Sequence, residues 1–394
     1  MILGQIAWLD CFAFLVFLAP QLIIHVGLFR TAWVGIKALP FLLLRLPHNL
    51  IRERYFTAKK NRSPFVQRAT LFQDLVIRVV RYAFSDIPAA VGKVFFSKWV
   101  ALPFIKIRML RHGIWKSPIY WREVNEDGRK GIYAIHDSSR RPDIVVYYCH
   151  GGGFSMGSSF FYLEFLLVWL TLLKNAGYAN PALFALEYTL VPTATYPTQV
   201  QEALAGYKYV ISLVDSPSQI CVSGDSAGAT LILSLMLCVS GYSGLKNKMP
   251  GLAIIISPWA TIISPKNKNT ASDYLNAESL HLYGTQYIGE NGSQDNALVS
   301  PGTCTDLSWW RRASPSQGWY FIYGSEEVFA PETKDLVARL KKAEVTVEEH
   351  EEEGWIHAWP VVKLFLCNGQ EERLSGLNRM VAVMAKRMNR RKAD

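Results

Sequence analysis

The chain has 394 residues, half of them hydrophobic, with a formal net charge of +10 and a mean hydropathy of +0.11. That length allows one large α/β domain with additions or two domains, and the hydropathy is high for a chain that meets water on every side. Cys11, Cys149, Cys221, Cys238, Cys304 and Cys367 lie far apart without a CxxC pair, so neither a disulfide framework nor a metal site is indicated, no cofactor is implied, and no motif for nucleic acid accompanies the basic residues.

From Ile2 to Phe29 the only polar side chains are Gln5, Asp10, Gln21 and His25. About 20 apolar residues cross a bilayer as a helix, so residues 1–30 read as a retained transmembrane anchor. No basic region precedes the apolar stretch and no small-x-small site follows it, which argues against a cleaved signal. Pro20 is expected to kink the span or make it re-entrant. Residues 31–64 form a basic juxtamembrane segment, within which "TAWVGIKALPFLLLRLP" carries Lys37 and Arg45 and is expected to lie along the interface.

Arg30, Lys37, Arg45, Arg52, Arg54, Lys59, Lys60 and Arg62 follow the anchor. Basic flanks stay cytoplasmic and are drawn to anionic headgroups. The expected partner is therefore the lipid bilayer. The expected topology is a single pass in the endoplasmic reticulum or another endomembrane, with the catalytic part facing the cytosol. Asn61 and Asn291 head N-x-S sequons that would matter only in the opposite topology, and the basic tail "RMNRRKAD" reads as a solvated helix end.

Residues 65–120 mix aromatic, apolar and basic side chains at loose helical spacing and read as a helical lead-in or cap. From 121 onward short apolar runs alternate with amphipathic ones. Ile144–Tyr148, Ala182–Glu187, Gln219–Val222, Leu252–Ser257, Trp319–Tyr323 and Val345–His350 are strand-like; Phe160–Asn175, Thr198–Val214, Ala227–Val239, Thr333–Lys342 and a segment from Glu371 are helix-like. Such alternation predicts an α/β fold with a mostly parallel sheet and helices on both faces. The polar stretch 261–316 interrupts the rhythm and reads as a lid insertion.

Two motifs carry chemistry. "HGGGF" places Gly151, Gly152 and Gly153 behind His150 where the Ile144 run stops, and three consecutive glycines need a positional reason. "ICVSGDSAGAT" fits G-x-S-x-G with Gly224, Ser226 and Gly228, between an apolar strand and an apolar helix. In such an elbow the serine sits on a strained turn as a nucleophile. Attack on an acyl carbon creates a negative oxygen that needs N–H donors, and Gly151, Gly152 and Ala227 are the expected oxyanion hole. His150 is expected to shape the turn.

With these motifs, and with Tyr188, Leu190 and Pro192 followed by Tyr196, Pro197 and "SPW" at 257–259, the chain from about Val145 onward resembles the hormone-sensitive-lipase-like branch of the α/β-hydrolase superfamily. The resemblance implies the α/β-hydrolase fold with a helical cap, and hydrolysis of carboxylic esters. It implies a triad acid at Glu327, where the family places an aspartate, with Glu326 as the rival, and a base at His357. Asp225 matches the family's GDSAG and is expected to hold the elbow or lid. The chain is also similar to fungal membrane-anchored steryl acetyl hydrolases, which implies an apolar ester substrate, sterol-like or otherwise bulky. The alternatives are a secondary-metabolite hydrolase or a relative that assists acyl transfer or condensation, and a non-catalytic ligand-binding member.

Overall fold

The apolar runs from Ile144 onward have no polar side to turn to water, and they form the central strands of a sheet covered on both faces. The computed structural model describes residues 1–126, 128–245, 247–290 and 292–388; Asn291 of the second sequon and the basic tail from Asn389 lie outside them. In chain order the helices α1 (Trp8–His25), α2 (Leu28–Phe56), α3 (Pro64–Arg68), α4 (Leu71–Asp86), α5 (Ala89–Phe95) and α6 (Lys98–Arg111) come first. The strands β1 (Tyr120–Glu126), β2 (Arg129–Ile135) and β3 (Ile144–Cys149) follow, then α7 (Leu163–Asn175), β4 (Pro181–Leu186), α8 (Thr198–Leu213), β5 (Ile220–Asp225) and α9 (Ala227–Gly241). The chain ends with β6 (Leu252–Ile256), α10 (Ala277–Ile288), α11 (Leu307–Arg312), β7 (Trp319–Gly324), α12 (Ala330–Lys342), β8 (Val347–Glu352), α13 (Trp359–Leu366) and α14 (Gln370–Arg387).

The strand order among the described residues is β1-β2-β4-β3-β5-β6-β7-β8. β1 and β2 pair antiparallel with each other and β2 with β4; every other neighbour is parallel. Alternate residues of each central strand enter opposite cores. Tyr147, Val222, Ile255 and Phe321 pack with α8, α9 and α12, whereas Val146, Cys221, Ile254 and Ile322 pack with α7, α13 and α14.

The hairpin β1–β2 is absent from the expected strands, because β1 is largely polar and the apolar part of β2, Ile132–Ile135, is short; the Asp-Gly pair at 127–128 is the sequence signal that marks it. The stretch 261–316 holds the helices α10 and α11. At the N-terminus, α1 runs unbroken through Pro20. It does not stand free of the domain. Phe14 and Leu18 are buried with Val94 and Val100, and the Phe14 and Phe104 rings meet edge to face at 5.1 Å. Asp10 pairs with Arg108 (2.9 Å) and Arg111 (2.6 Å), and Arg108 also reaches Glu164 (2.8 Å). α2 contains π-helical turns at Phe41–Arg45 and Arg52–Phe56 and lies on α4, where Phe41 stacks on Tyr82 at 4.1 Å.

Candidate active site

At the carboxyl ends of the parallel strands the backbone itself is shaped for a site. Ser226 sits between β5 and α9 at φ 54° and ψ −122°, a conformation a serine holds only when its surroundings over-determine it. The Ile256 carbonyl accepts its N–H at 3.1 Å. The motif glycines let this turn pack against β3: a Cβ on Gly228 would lie 2.0 Å from the Cys149 carbonyl oxygen.

The glycine loop leaves β3 beside that elbow. Asp225 joins the two: Oδ1 accepts from Tyr148 Oη (2.6 Å) and the Gly151 amide (2.9 Å), and Oδ2 accepts from Tyr162 Oη (2.6 Å). Burial raises the Asp225 pKa, while the two tyrosine hydroxyls favour its ionised form. This carboxylate engages one of the amides expected to serve the oxyanion. The Gly151 amide is taken, whereas the amides of Gly152 and Gly153 have no acceptor among the described residues. Ala227 opens α9, where the first amides lack an intrahelical partner. His150 stacks on Tyr188 at 4.3 Å and its Nδ1 donates to the Gly151 carbonyl at 2.8 Å. Burial drops its pKa to about 4, so it stays neutral and shapes the turn.

Glu327 follows β7 and His357 follows β8. Glu327 Oε2 and His357 Nδ1 are 3.0 Å apart. Glu326 turns elsewhere and accepts from Ser272 Oγ at 3.1 Å. Burial pushes the Glu327 carboxyl up to about 8, against the Ser257 hydroxyl and the Gly324 and Ala358 amides. Burial also lowers the His357 pKa, against the charges of Asp273 and Asp225. Burial thus disfavours the charged form of each partner. Ser257, at φ 44°, accepts the Ala358 amide at 2.9 Å. Thus the end of β6 holds the serine turn through Ile256 and the histidine turn through Ser257.

Asp273 was not read from the sequence. It is buried, and its Oδ1 accepts the His357 amide (3.1 Å) while its Oδ2 accepts the Val328 amide (2.9 Å). One side chain of the 261–316 stretch therefore fixes the turns that carry both Glu327 and His357. Nothing in "TASDYL" marks it, since its partners are backbone groups of two distant loops.

Ser226, Glu327 and His357 are respectively 5 %, 2 % and 2 % exposed, so the arrangement is enclosed. Tyr283 of α10 comes within 3.2 Å of a Cβ position on Gly153, and Met156 meets Gly92 of α5. Tyr274 and Phe329 set ring edges toward His357 at 5.8 and 5.2 Å. A strained serine, an imidazole held by a carboxylate and free amides beside them are the parts of nucleophilic acyl transfer.

The profile of the alpha/beta hydrolase fold matches residues 146–361. The chain is 26 % identical over 325 residues to mug81 of Schizosaccharomyces pombe, named as a candidate steryl acetyl hydrolase, a match covering 77 % of this chain and 84 % of that protein. It is 25 % identical over 229 residues to an acetyl-hydrolase of Streptomyces hygroscopicus, over 56 % of this chain and 70 % of that one. Among solved structures, an esterase of the bacterial hormone-sensitive lipase family superposes with a TM-score of 0.64 at 19 % identity, over 82 % of this chain and 99 % of that one. This last likeness is one of fold.

Proposed function

The chain belongs to the alpha/beta hydrolase fold family and is a hydrolase of ester bonds, and from that premise we propose a membrane-attached serine esterase that works through Ser226, His357 and Glu327. The observation that carries the reading is the 3.0 Å contact of Glu327 and His357, held by the same strand end that holds the strained turn of Ser226.

Ser226 Oγ attacks the ester carbonyl while His357 takes its proton, and Glu327 orients the imidazole and stabilises its charged form. The oxyanion rests on the amides of Gly152, Gly153 and Ala227, each donor of this kind being worth about 2.7–4 kcal/mol of barrier. His357 then protonates the leaving alcohol. Water, activated by His357, attacks the acyl-enzyme, and the acid departs as Ser226 regains its proton.

The substrate class we propose is an acetyl or other short acyl ester of a bulky apolar, sterol-like alcohol. The name of the fission yeast relative supports it, as do the aromatic rings of Tyr274 and Phe329 around His357. The apolar α1 and α2 support attachment to a membrane, and the basic residues that follow α1 support a catalytic domain on the cytosolic side.

The test exposes detergent-solubilised protein and its Ser226→Ala variant to a fluorescent fluorophosphonate and to a panel of acyl esters that includes a steryl acetate. Labelling and turnover that vanish in the variant are expected. A folded wild type that neither labels nor turns over any ester overturns the triad assignment. Turnover of simple esters without steryl acetate would keep the esterase and remove the sterol.

A further inference from the structure

We propose that α1 and α2 lie in one leaflet without crossing the bilayer, so that the N-terminus and the catalytic domain share one side of the membrane. This deepens the attachment proposed above and replaces the single crossing expected from the sequence.

The chain before α1 is built into the catalytic domain. Leu3 is 1 % exposed. The Ile6 amide donates to the Phe365 carbonyl (3.0 Å), Gln5 Nε2 to the Leu366 carbonyl (3.1 Å), and the Gly4 amide to His112 Nε2 (2.9 Å). Arg373 reaches the Leu3 carbonyl. A single crossing by α1 would have to leave these residues on the far side of the membrane from the partners they bond.

α1 then lies along α6 instead of leaving the domain. Asp10 meets Arg108 near one end of α6, Phe14 meets Phe104 one turn on, and Leu18 shares a cluster with Val100 near the other end. Arg108 is fully buried, with Asp10 and Glu164 as its carboxylates. Lifting α1 into the hydrocarbon would strip a buried guanidinium of one partner and carry an aspartate into lipid.

α2 carries its own evidence. Arg30, Lys37, Arg45 and Arg52 recur at intervals of seven, eight and seven residues. The π-helical turn at Phe41–Arg45 absorbs the extra residue of the middle interval, so the four form one row along the helix. A spanning helix would put Lys37 and Arg45 deep in the bilayer. A helix lying flat keeps the row at the headgroups, with exposed Trp33, Leu44 and Ile51 beside it on the acyl side. Its end is also tied to the domain. Glu53 pairs with Arg78 at 2.6 Å and Arg54 with Asp74 at 3.2 Å.

The occupant of this face is therefore an anionic lipid surface. Trp99 of α6, the helix on which α1 lies, is exposed as well, and so is Trp115 just after it, at 86 %. α4 and α5 lie beneath the same layer and also border the site, through Phe84 against Tyr274 and Gly92 against Met156. Substrate then enters from the leaflet on which the protein sits.

The experiment uses the full chain with an N-terminal and a C-terminal epitope in intact microsomes, and a Leu28→Cys variant beside the turn at Gly27. Protease and an impermeant maleimide are applied before and after the vesicles are opened, with the parent chain as the background for native cysteines. We expect the two epitopes to be digested or protected together, and Cys labelling at 28 only from that same side or from neither. Epitopes on opposite sides overturn the placement in favour of a single crossing. Labelling at 28 only from the far side overturns it in favour of a crossing hairpin. Recovery of the protein wholly in the soluble fraction overturns the attachment itself, a result distinct from either topology failure.

Discussion

Around Ser226 and around Arg108 the molecule buries polar groups by two different means. The serine turn is held mostly by backbone: the Ile256 carbonyl, the close approach of Gly228 to Cys149, and the neighbouring Gly151 amide gathered by Asp225. The junction of α1 with α6 hangs on one guanidinium between two carboxylates, flanked by a small apolar cluster. Backbone geometry is distributed over many residues, so losing one side chain that does not react should cost little stability. A buried ion network is concentrated, and removing one member leaves the others charged and unpaired.

The first way to break this comparison is at the reacting pair. Glu327→Gln keeps the volume but removes the charge that stabilises the imidazolium and orients the ring, so kcat should fall by about 10³–10⁴-fold with Tm nearly unchanged. Steady-state rates and a thermal melt check it; a fall below about tenfold would mean that Glu327 is not the partner that matters. The second is at the junction. Arg108→Met should cost about 3–5 kcal/mol of stability by leaving the buried Glu164 without its cation and Asp10 with Arg111 alone. Denaturant midpoints measure this, and a double variant Arg108→Met with Asp10→Leu should recover part of the loss. A full loss in the double variant would assign the effect to packing.

The two regions also differ in how far residues alone revealed them. The elbow and the glycine loop were legible because their function demands particular residue types at fixed spacing next to an apolar strand. The central strands were legible because burial on both faces leaves only apolar side chains. Which amides of the glycine loop stay free was not legible, since that depends on the Asp225 carboxylate arriving from another strand. The hairpin β1–β2 opens on the polar strand β1 and leaves only a short apolar run in β2, and Asp273 acts on backbone amides far along the chain. α1 read as a free anchor because Arg108, the partner that pins Asp10 to the domain, lies in a different helix.

Asp273 offers a smaller and sharper test. It positions the turns of both Glu327 and His357 and its charge raises the His357 pKa against the lowering by burial. Burial dominates, so the imidazole remains a free base below its ordinary 6.5, and the acid limb of kcat/KM should lie below that value. Asp273→Asn removes a charge that favours imidazolium, so the limb should move to still lower pH while kcat falls about 10–100-fold through misplacement of the base. A pH–rate profile separates the two effects. A fall in kcat with an unmoved limb would leave Asp273 a purely structural tie.

The smallest effect concerns the basic row of α2. Each exposed cation near an anionic surface contributes about 1 kcal/mol of attraction. Lys37→Gln together with Arg45→Gln should therefore weaken binding of the purified protein to phosphatidylserine vesicles by roughly 10–30-fold, and raised salt should erase the difference. These side chains are exposed and take no part in the serine site, so turnover of a water-soluble ester should not change while turnover of an ester dissolved in the vesicles falls with the bound fraction. If the two activities fell together, the row would be supporting the fold of the platform. If neither fell, the apolar face alone would hold the protein to lipid, and the charges would only set which leaflet it meets first.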